Sequence, residues 1–193
     1  MTDSTVTVAA PAALPSKGRA KVHADRVNTE LLTEQSTELL QELHLLTREG
    51  HLNADARRKL KQINHFCTLI GPALEAAIGT HEDVHILDAA AGNAYLSFVL
   101  YEVFLRRKET GRITGVETRG DLVKRCRERA ERLGFSRMRF AQTPITSAIA
   151  AVASGNPDVV GENINAVVAL HACDTATDDA IVLGLVADAD VIA

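Results

Sequence analysis

An α/β fold built on a parallel sheet is what this sequence predicts, and three observations carry that reading. From residue 83 onward, short apolar runs alternate with segments of helical period, and such alternation requires crossover connections between parallel strands. The run Val84-His-Ile-Leu-Asp88-Ala-Ala-Ala-Gly92-Asn-Ala94 reads as a strand tipped by a carboxylate, followed by a small-residue turn that opens a helix. A second short apolar run ends at Glu117, another carboxylate at a strand end.

The elements follow in order. Residues 84–87 form the first strand, and 95–107 a helix with Leu96, Val99, Leu100 and Val103 at i, i+3, i+4 and i+7. Residues 113–116 are a strand, and 121–133 a helix stopped by Gly134. A strand at 138–141, a short helix at 145–153 and a Gly, Pro and Asn loop at 154–163 come next. Residues 166–170 are a strand, and 175–187 a helix that Asp174 or Thr175 can cap. A fifth strand begins at 190–193, so the expectation is a C-terminally truncated domain spanning 83–193.

Ahead of it, residues 25–79 predict a helical extension. Leu31, Leu32, Leu39, Leu40, Leu43 and Leu46 recur near the helical period, and a turn at 50–53 precedes a second helical segment. That segment carries Leu60, Ile63, Leu69, Leu74 and Ala77 on one side, with a kink or break expected at Gly71-Pro72. The extension is expected to cap the fold or help bind substrate. Residues 1–24, rich in Ala, Ser, Thr, Val and Pro, read as a disordered tail.

Composition narrows the class. The chain has 193 residues, 46% hydrophobic and 24% charged, with no tryptophan, so the core must be aliphatic. No apolar run approaches the roughly 18 residues that cross a bilayer, and no continuous apolar core of a secretory signal is present. Cys67, Cys126 and Cys173 lie far apart without paired spacing, which argues against a disulfide framework or a zinc site and fits a reducing cytoplasm. Between residues 106 and 139 stand 12 Lys and Arg against 5 acids, a local balance of +7. Such a segment either marks a nucleic-acid face or lines the solvent side of helices, and the second is expected. The cluster Arg57, Arg58, Lys59 and Lys61 is likewise read as a solvated face.

In open parallel sheets, ligands bind beyond the carboxyl ends of the strands. A dinucleotide site needs G-x-G-x-x-G so that its pyrophosphate can rest on bare backbone. Here only Gly92 is a glycine, and Asp88 would repel a pyrophosphate. S-adenosylmethionine carries an ammonium, a sulfonium and no phosphate, so a strand-end acid suits it. Glu117 can accept both hydroxyls of a ribose, which by itself indicates adenosine rather than one particular cofactor. Asp88 could instead cap the following turn, and Glu117 could be an exposed acid paired with Arg119.

The segment Asp88-Ala-Ala-Ala-Gly92-Asn-Ala94-Tyr95-Leu-Ser-Phe resembles the D-x-G-x-G-x-G motif of class I S-adenosylmethionine-dependent methyltransferases, and Gly115-Val-Glu117-Thr-Arg119 resembles their acidic second motif. Leu170-His-Ala-Cys-Asp174-Thr-Ala-Thr-Asp178-Asp179-Ala is similar to a methyltransferase-domain family that includes tRNA ribose methyltransferases and rRNA adenine dimethylase-like proteins. Ala90 and Ala94 depart from the pattern, standing where glycine is usual. Alanine fits there if φ stays negative and is strained if the backbone is left-handed.

The resemblance implies a Rossmann-like parallel sheet with S-adenosylmethionine as cofactor. It implies that Asp88, Ala90, Gly92 and Ala94 belong to the cofactor loop, with Asp88, Ala90 and Gly92 lining the methionine end. Glu117 would hold the ribose and Gln142 would meet the adenine. His171 and Asp174 would face the transferred methyl group, positioning the acceptor or taking its proton. No metal is expected, although His171, Cys173 and Asp174 are ligand types. RNA is a candidate acceptor. Two other readings stand beside this one: an NAD(P)-dependent oxidoreductase on a related sheet, and a non-catalytic cofactor-binding interaction module.

Overall fold

The computed structural model describes residues 35–170, 172 and 175–193. The expected tail at 1–24 lies outside the described residues, as do the first ten residues of the expected helical extension. In chain order the elements are α1 (Thr37–Glu42), α2 (Ala54–Thr80), β1 (His85–Ala89), α3 (Tyr95–Leu100), a π-helical turn (Tyr101–Leu105), β2 (Arg112–Glu117) and α4 (Gly120–Leu133). Then follow β3 (Met138–Gln142), α5 (Ile145–Ala153), α6 (Pro157–Val160), β4 (Ala166–Val168), α7 (Thr175–Val186) and β5 (Val191–Ile192).

All five strands are parallel, in the order β3-β2-β1-β4-β5. This is the Rossmann-like parallel sheet that the resemblance implies. Chain order reverses beside β1, so the crevice outside the carboxyl ends of β1 and β4 is the topological switch point. The period of two along each strand divides the side chains between two cores. Ile86, Ile113, Phe140 and Val168 pack on one face with Phe98, Leu100, Phe135 and the buried leucines of α1 and α2. Leu87, Val116 and Val167 pack on the other with Ile145, Ala148, Val160 and Leu183. Gly184 lets β5 lie close to α7, because a Cβ there would stand 2.6 Å from the Ile192 side chain.

The structure differs from the sequence expectation in four places. Helix α2 runs unbroken through Pro72, which was expected to break or kink it. Gly71 carries no Cβ to clash with the proline ring, and a Cβ there would be in ordinary contact with the Phe104 ring at 3.5 Å. Buried Ile70, Leu74 and Ala77 continue the packed face on both sides. The helix expected over 95–107 widens after Leu100 into the π-helical turn, closed by a bond from Arg106 N–H to the Tyr101 carbonyl at 2.7 Å. That turn buries Tyr101, Glu102 and Leu105 together. The Glu102 carboxylate accepts from the Ser36 N–H at 2.9 Å and hydroxyl at 2.5 Å and from Arg106 at 2.7 Å, so α1 is clamped to the end of α3. Third, the expected loop at 154–163 contains the short helix α6, capped by the Asn156 side chain and started by a proline. Fourth, β4 stops at Val168 rather than 170.

The basic residues of 106–139 are mostly exposed, as expected for the solvent side of the helices, with Arg129 buried. Arg106 pairs with Glu102, Arg112 with Asp83, Arg125 with Asp121 and Arg132 with Glu42. Arg127, Arg129 and Arg137 donate to backbone carbonyls. These bonds tie the arginines to neighbouring loops and helices. No described helix is long and apolar enough to cross a membrane.

Candidate functional site

Strand β1 delivers Asp88 to the switch point. The register aligns Asp88 with Gly115 on β2 and Val168 on β4, and Glu117 with Gln142 on β3. Three of the expected site residues therefore stand at the carboxyl ends of adjacent strands. Between Asp88 and α3 the chain turns sharply. Ala90 (φ 59°), Gly92 (φ 57°) and Ala94 (φ 56°) are all left-handed. These are the three positions at which the resemblance expects glycine, so the condition that alanine keep a negative φ is not met. An L-residue in this region costs roughly 1–2 kcal/mol, and the surrounding bonds hold the chain in it.

Those bonds come from four directions. The Ala91 N–H donates to the Val116 carbonyl at 2.9 Å, hooking the turn onto β2. The Gly92 N–H donates to Glu117 Oε2 at 3.0 Å. The Arg129 guanidinium donates to the Asn93 carbonyl at 3.2 Å, and the Cys126 thiol lies 3.7 Å from the Gly92 carbonyl. Gly115 is small for the same reason, since a Cβ there would stand 2.7 Å from Phe140 and 3.2 Å from the Ala91 methyl.

Asp88 is 3% exposed, and its Oδ2 accepts from the Ser97 hydroxyl at 2.5 Å. Burial pushes its carboxyl up to about 7, with the Ser97 hydroxyl and N–H pulling part of the way back. Glu117 behaves differently. Burial alone would raise its carboxyl, but the N–H and guanidinium of Arg119 and the Thr118 hydroxyl outweigh that, and it sits below its ordinary value. Two carboxylates in one site thus differ in their ease of ionisation. Gln142 lies against the start of α4, its amide donating to the Thr118 carbonyl at 3.4 Å. A Cβ on Gly120 would press on it at 2.9 Å.

A cavity of about 270 Å³ opens here, lined by Asp88, Ala90, Gly92, Tyr95, Arg119 and Leu170 among others. Small-molecule sites run from about 300 to 1,000 Å³, so this cavity suits one end of a nucleoside cofactor. Glu117 and Gln142 lie outside its lining, towards the open edge at β3. Lys59 of α2 also lines it, its ammonium 5.9 Å from the centre of the Tyr95 ring. Sequence reasoning assigned Lys59 to a solvated face with Arg57, Arg58 and Lys61; those three are exposed, whereas Lys59 is half-buried over the site. No local signal separates it from its neighbours, because its contact depends on α2 packing against α3. His171 and Asp174 lie outside the described residues, between Leu170 of the cavity wall and helix α7.

The donor set fits S-adenosylmethionine. Asp88 offers a buried acid and Glu117 a second acid at the end of the neighbouring strand.

A methyltransferase-domain family model matches residues 58–193, beginning inside α2. No curated protein matches the chain. Among solved structures, an S-adenosylhomocysteine-bound methyltransferase from Podospora anserina superposes with a TM-score of 0.52 at 16% identity, over 91% of this chain and 68% of that one. A magnesium protoporphyrin IX methyltransferase from Synechocystis gives 0.49 at 12% identity, over 78% of this chain and 65% of that one. An rRNA methylase from Streptococcus thermophilus gives 0.39 at 15% identity, over 52% of each chain. The chain therefore spans between about half and two thirds of the length of these structures. With the family model matching well over half of the sequence, and a parallel sheet whose strand ends carry Asp88 and Glu117, the chain belongs to the methyltransferase-domain family.

Proposed function

We propose that this chain binds S-adenosylmethionine at the carboxyl ends of β1, β2 and β3 and serves as a methyltransferase. The observation that carries the reading is the left-handed turn 90–94, tied through Gly92 to Glu117 and opening beside the buried acid Asp88. Asp88 faces the methionine end, with Ala90 and Gly92 presenting backbone to it and Ala94 starting α3. Glu117 takes the ribose hydroxyls, and Gln142 lies one strand further on, where adenine would reach.

When bound, the cofactor supplies an activated methyl group on a sulfonium, displaced in line by the acceptor. The work left to the protein is alignment and, for an acidic acceptor, removal of a proton. The strained turn helps with alignment, because a loop bonded on four sides holds its N–H groups in one geometry. His171 and Asp174 are the residues we assign to the acceptor side. RNA is the first acceptor class to assay, on the resemblance of the string at 170–180 alone; the arginines of 106–139, bonded within the chain, add little. Cys67 and Cys126 are unpaired and buried, their thiols pushed up to about 12 and 11 by burial, which suits a reducing cytoplasm.

The test is thermal unfolding with ligand. S-adenosylhomocysteine should raise the melting temperature of the wild type, and Glu117→Ala should remove the shift. Absence of a shift in the wild type, or a shift with NADH instead, overturns the reading. Transfer of labelled methyl to RNA, protein or small-molecule fractions then identifies the acceptor.

A further inference from the structure

The cavity at the switch point has to satisfy more than a sulfonium. The amino-acid end of the proposed cofactor is a zwitterion, and burying a carboxylate requires a cation or several donors beside it. The strand ends supply carboxylates: Asp88 lines the cavity and Glu117 stands at its border. Among the described residues that line it, the cations are Arg119 and Lys59.

Arg119 is already engaged at the other border, where its N–H and Nε donate to Glu117 Oε1 at 3.0 and 3.4 Å. Lys59 lines the cavity from a different element. It approaches from α2, beside Tyr95, the first residue of α3. Its ion partner is Asp55, one turn back on the same helix at 2.8 Å. Both members of that pair are partly exposed, with side chains 43% and 67% accessible. Exposed i,i+4 pairs of this kind contribute only a few tenths of a kcal/mol. An ammonium held so weakly, on a flexible stem, can turn to a better anion at low cost.

Resting on the cofactor reading above, we propose that Lys59 is the residue that binds the carboxylate of the cofactor's amino-acid end, with the Tyr95 ring guiding its ammonium over the cavity. Helix α2 then belongs to the binding site and is more than a cap on the sheet. The pairing divides the zwitterion between two elements, the amino group towards Asp88 of β1 and the carboxylate towards Lys59 of α2.

Two ligands isolate this contact. S-adenosylhomocysteine has the amino-acid end; 5′-methylthioadenosine keeps the adenine, ribose and thioether but lacks it. Calorimetric titration of both into the full chain should give a Lys59→Met variant that binds S-adenosylhomocysteine at least roughly tenfold more weakly. Its affinity for 5′-methylthioadenosine should stay within twofold of wild type, and Lys59→Arg should restore most of the loss. Because Lys59 is half exposed, its melting temperature without ligand should be unchanged. Unaltered S-adenosylhomocysteine affinity in Lys59→Met, or equal weakening of both ligands, overturns the assignment to the carboxylate. A wild type that binds neither ligand overturns the cofactor reading itself, and this proposal with it.

Discussion

The two ends of strand β1 are built on opposite plans. At its amino end the buried polar side chains His85, Thr114 and Asn165 are all hydrogen-bonded. His85 is fully buried, its Nε2 lies 2.8 Å from the Thr114 hydroxyl and its Nδ1 3.0 Å from the Glu162 carbonyl. A carbonyl can only accept, so Nδ1 carries the proton and the threonine hydroxyl donates to Nε2. Asp83 ties in Arg112 and the Gly111 N–H, and Asn165 bonds the His85 N–H. At the carboxyl end, three residues later, a buried acid has Ser97 as its partner, and beyond it two alanines hold a conformation made for glycine. One end is satisfied and the other is strained and under-solvated. Strain and costly burial collect where ligands bind, because stability is given up there for geometry. The two ends should accordingly answer mutation and pH in opposite ways.

The largest effect is expected at Asp88. Its carboxyl sits at about 7 in the folded chain against an ordinary value of 3.8. A folded-state value raised in this way means that its contribution to stability is complete below pH 3.8 and lost as pH rises through 7. Replacing the acid by its neutral isostere removes that loss. Asp88→Asn should therefore be more stable than wild type at pH 8 by about 2–4 kcal/mol, with the two converging near pH 4 in urea unfolding. It should also weaken S-adenosylmethionine binding by at least roughly tenfold. Wild-type affinity should rise with pH through 7 as Asp88 ionises, and that dependence should vanish in the variant. A variant less stable than wild type at pH 8 would break the contrast between the two ends.

At His85 the sign reverses. Burial pushes the imidazole down to about 4 from 6.5, outweighing the bond to the Glu162 carbonyl. Its contribution is present above pH 6.5 and is lost as pH falls towards 4. Between those values the two groups of β1 oppose each other, and wild-type stability should be flatter with pH than that of either variant. His85→Ala should cost about 3 kcal/mol at pH 7, from the lost packing and from the Thr114 and Glu162 groups left bare. Cofactor affinity should stay within twofold, which calorimetry at 15 °C would check. A tenfold loss of affinity would mean that the amino end of the strand is not merely structural.

The same contrast explains what the sequence made readable. Alternation of period two and 3.6 defines the strands and helices of 83–193, because each element buries a face against its neighbours. Asp88 and Glu117 are readable as strand-end carboxylates, Gln142 follows from the family resemblance, and all three stand at the carboxyl ends of adjacent strands. What escapes is set by contacts distant in the chain. Glu102 reshapes its helix into a π turn for a partner at Ser36, 66 residues away. Pro72 stays inside a helix whose buried face continues through Ile70, Leu74 and Ala77 on both sides of it. Lys59 is one of four cations in a row, and only the crossing of α2 over α3 singles it out. The signs of φ at Ala90 and Ala94 were equally hidden, since alanine itself suggests an ordinary conformation.

Those alanines give the finest test of the strained end. Replacing either by glycine removes the left-handed penalty, roughly 1–2 kcal/mol, and adds about 0.5–1 kcal/mol of unfolded-state entropy. What separates them is the methyl group. Ala94 is fully buried in the core beneath α3, so its methyl contributes about 0.8 kcal/mol of burial that glycine forfeits. Ala90 is only partly buried beside the cavity. Ala90→Gly should therefore stabilise the chain by about 0.5–1 kcal/mol, and Ala94→Gly should lie within about 0.5 kcal/mol of wild type. Urea midpoints resolve such differences. Should Ala94→Gly prove the more stabilising of the two, buried packing beneath the turn would count for less than its backbone strain, and the alanines would not be holding the turn against α3.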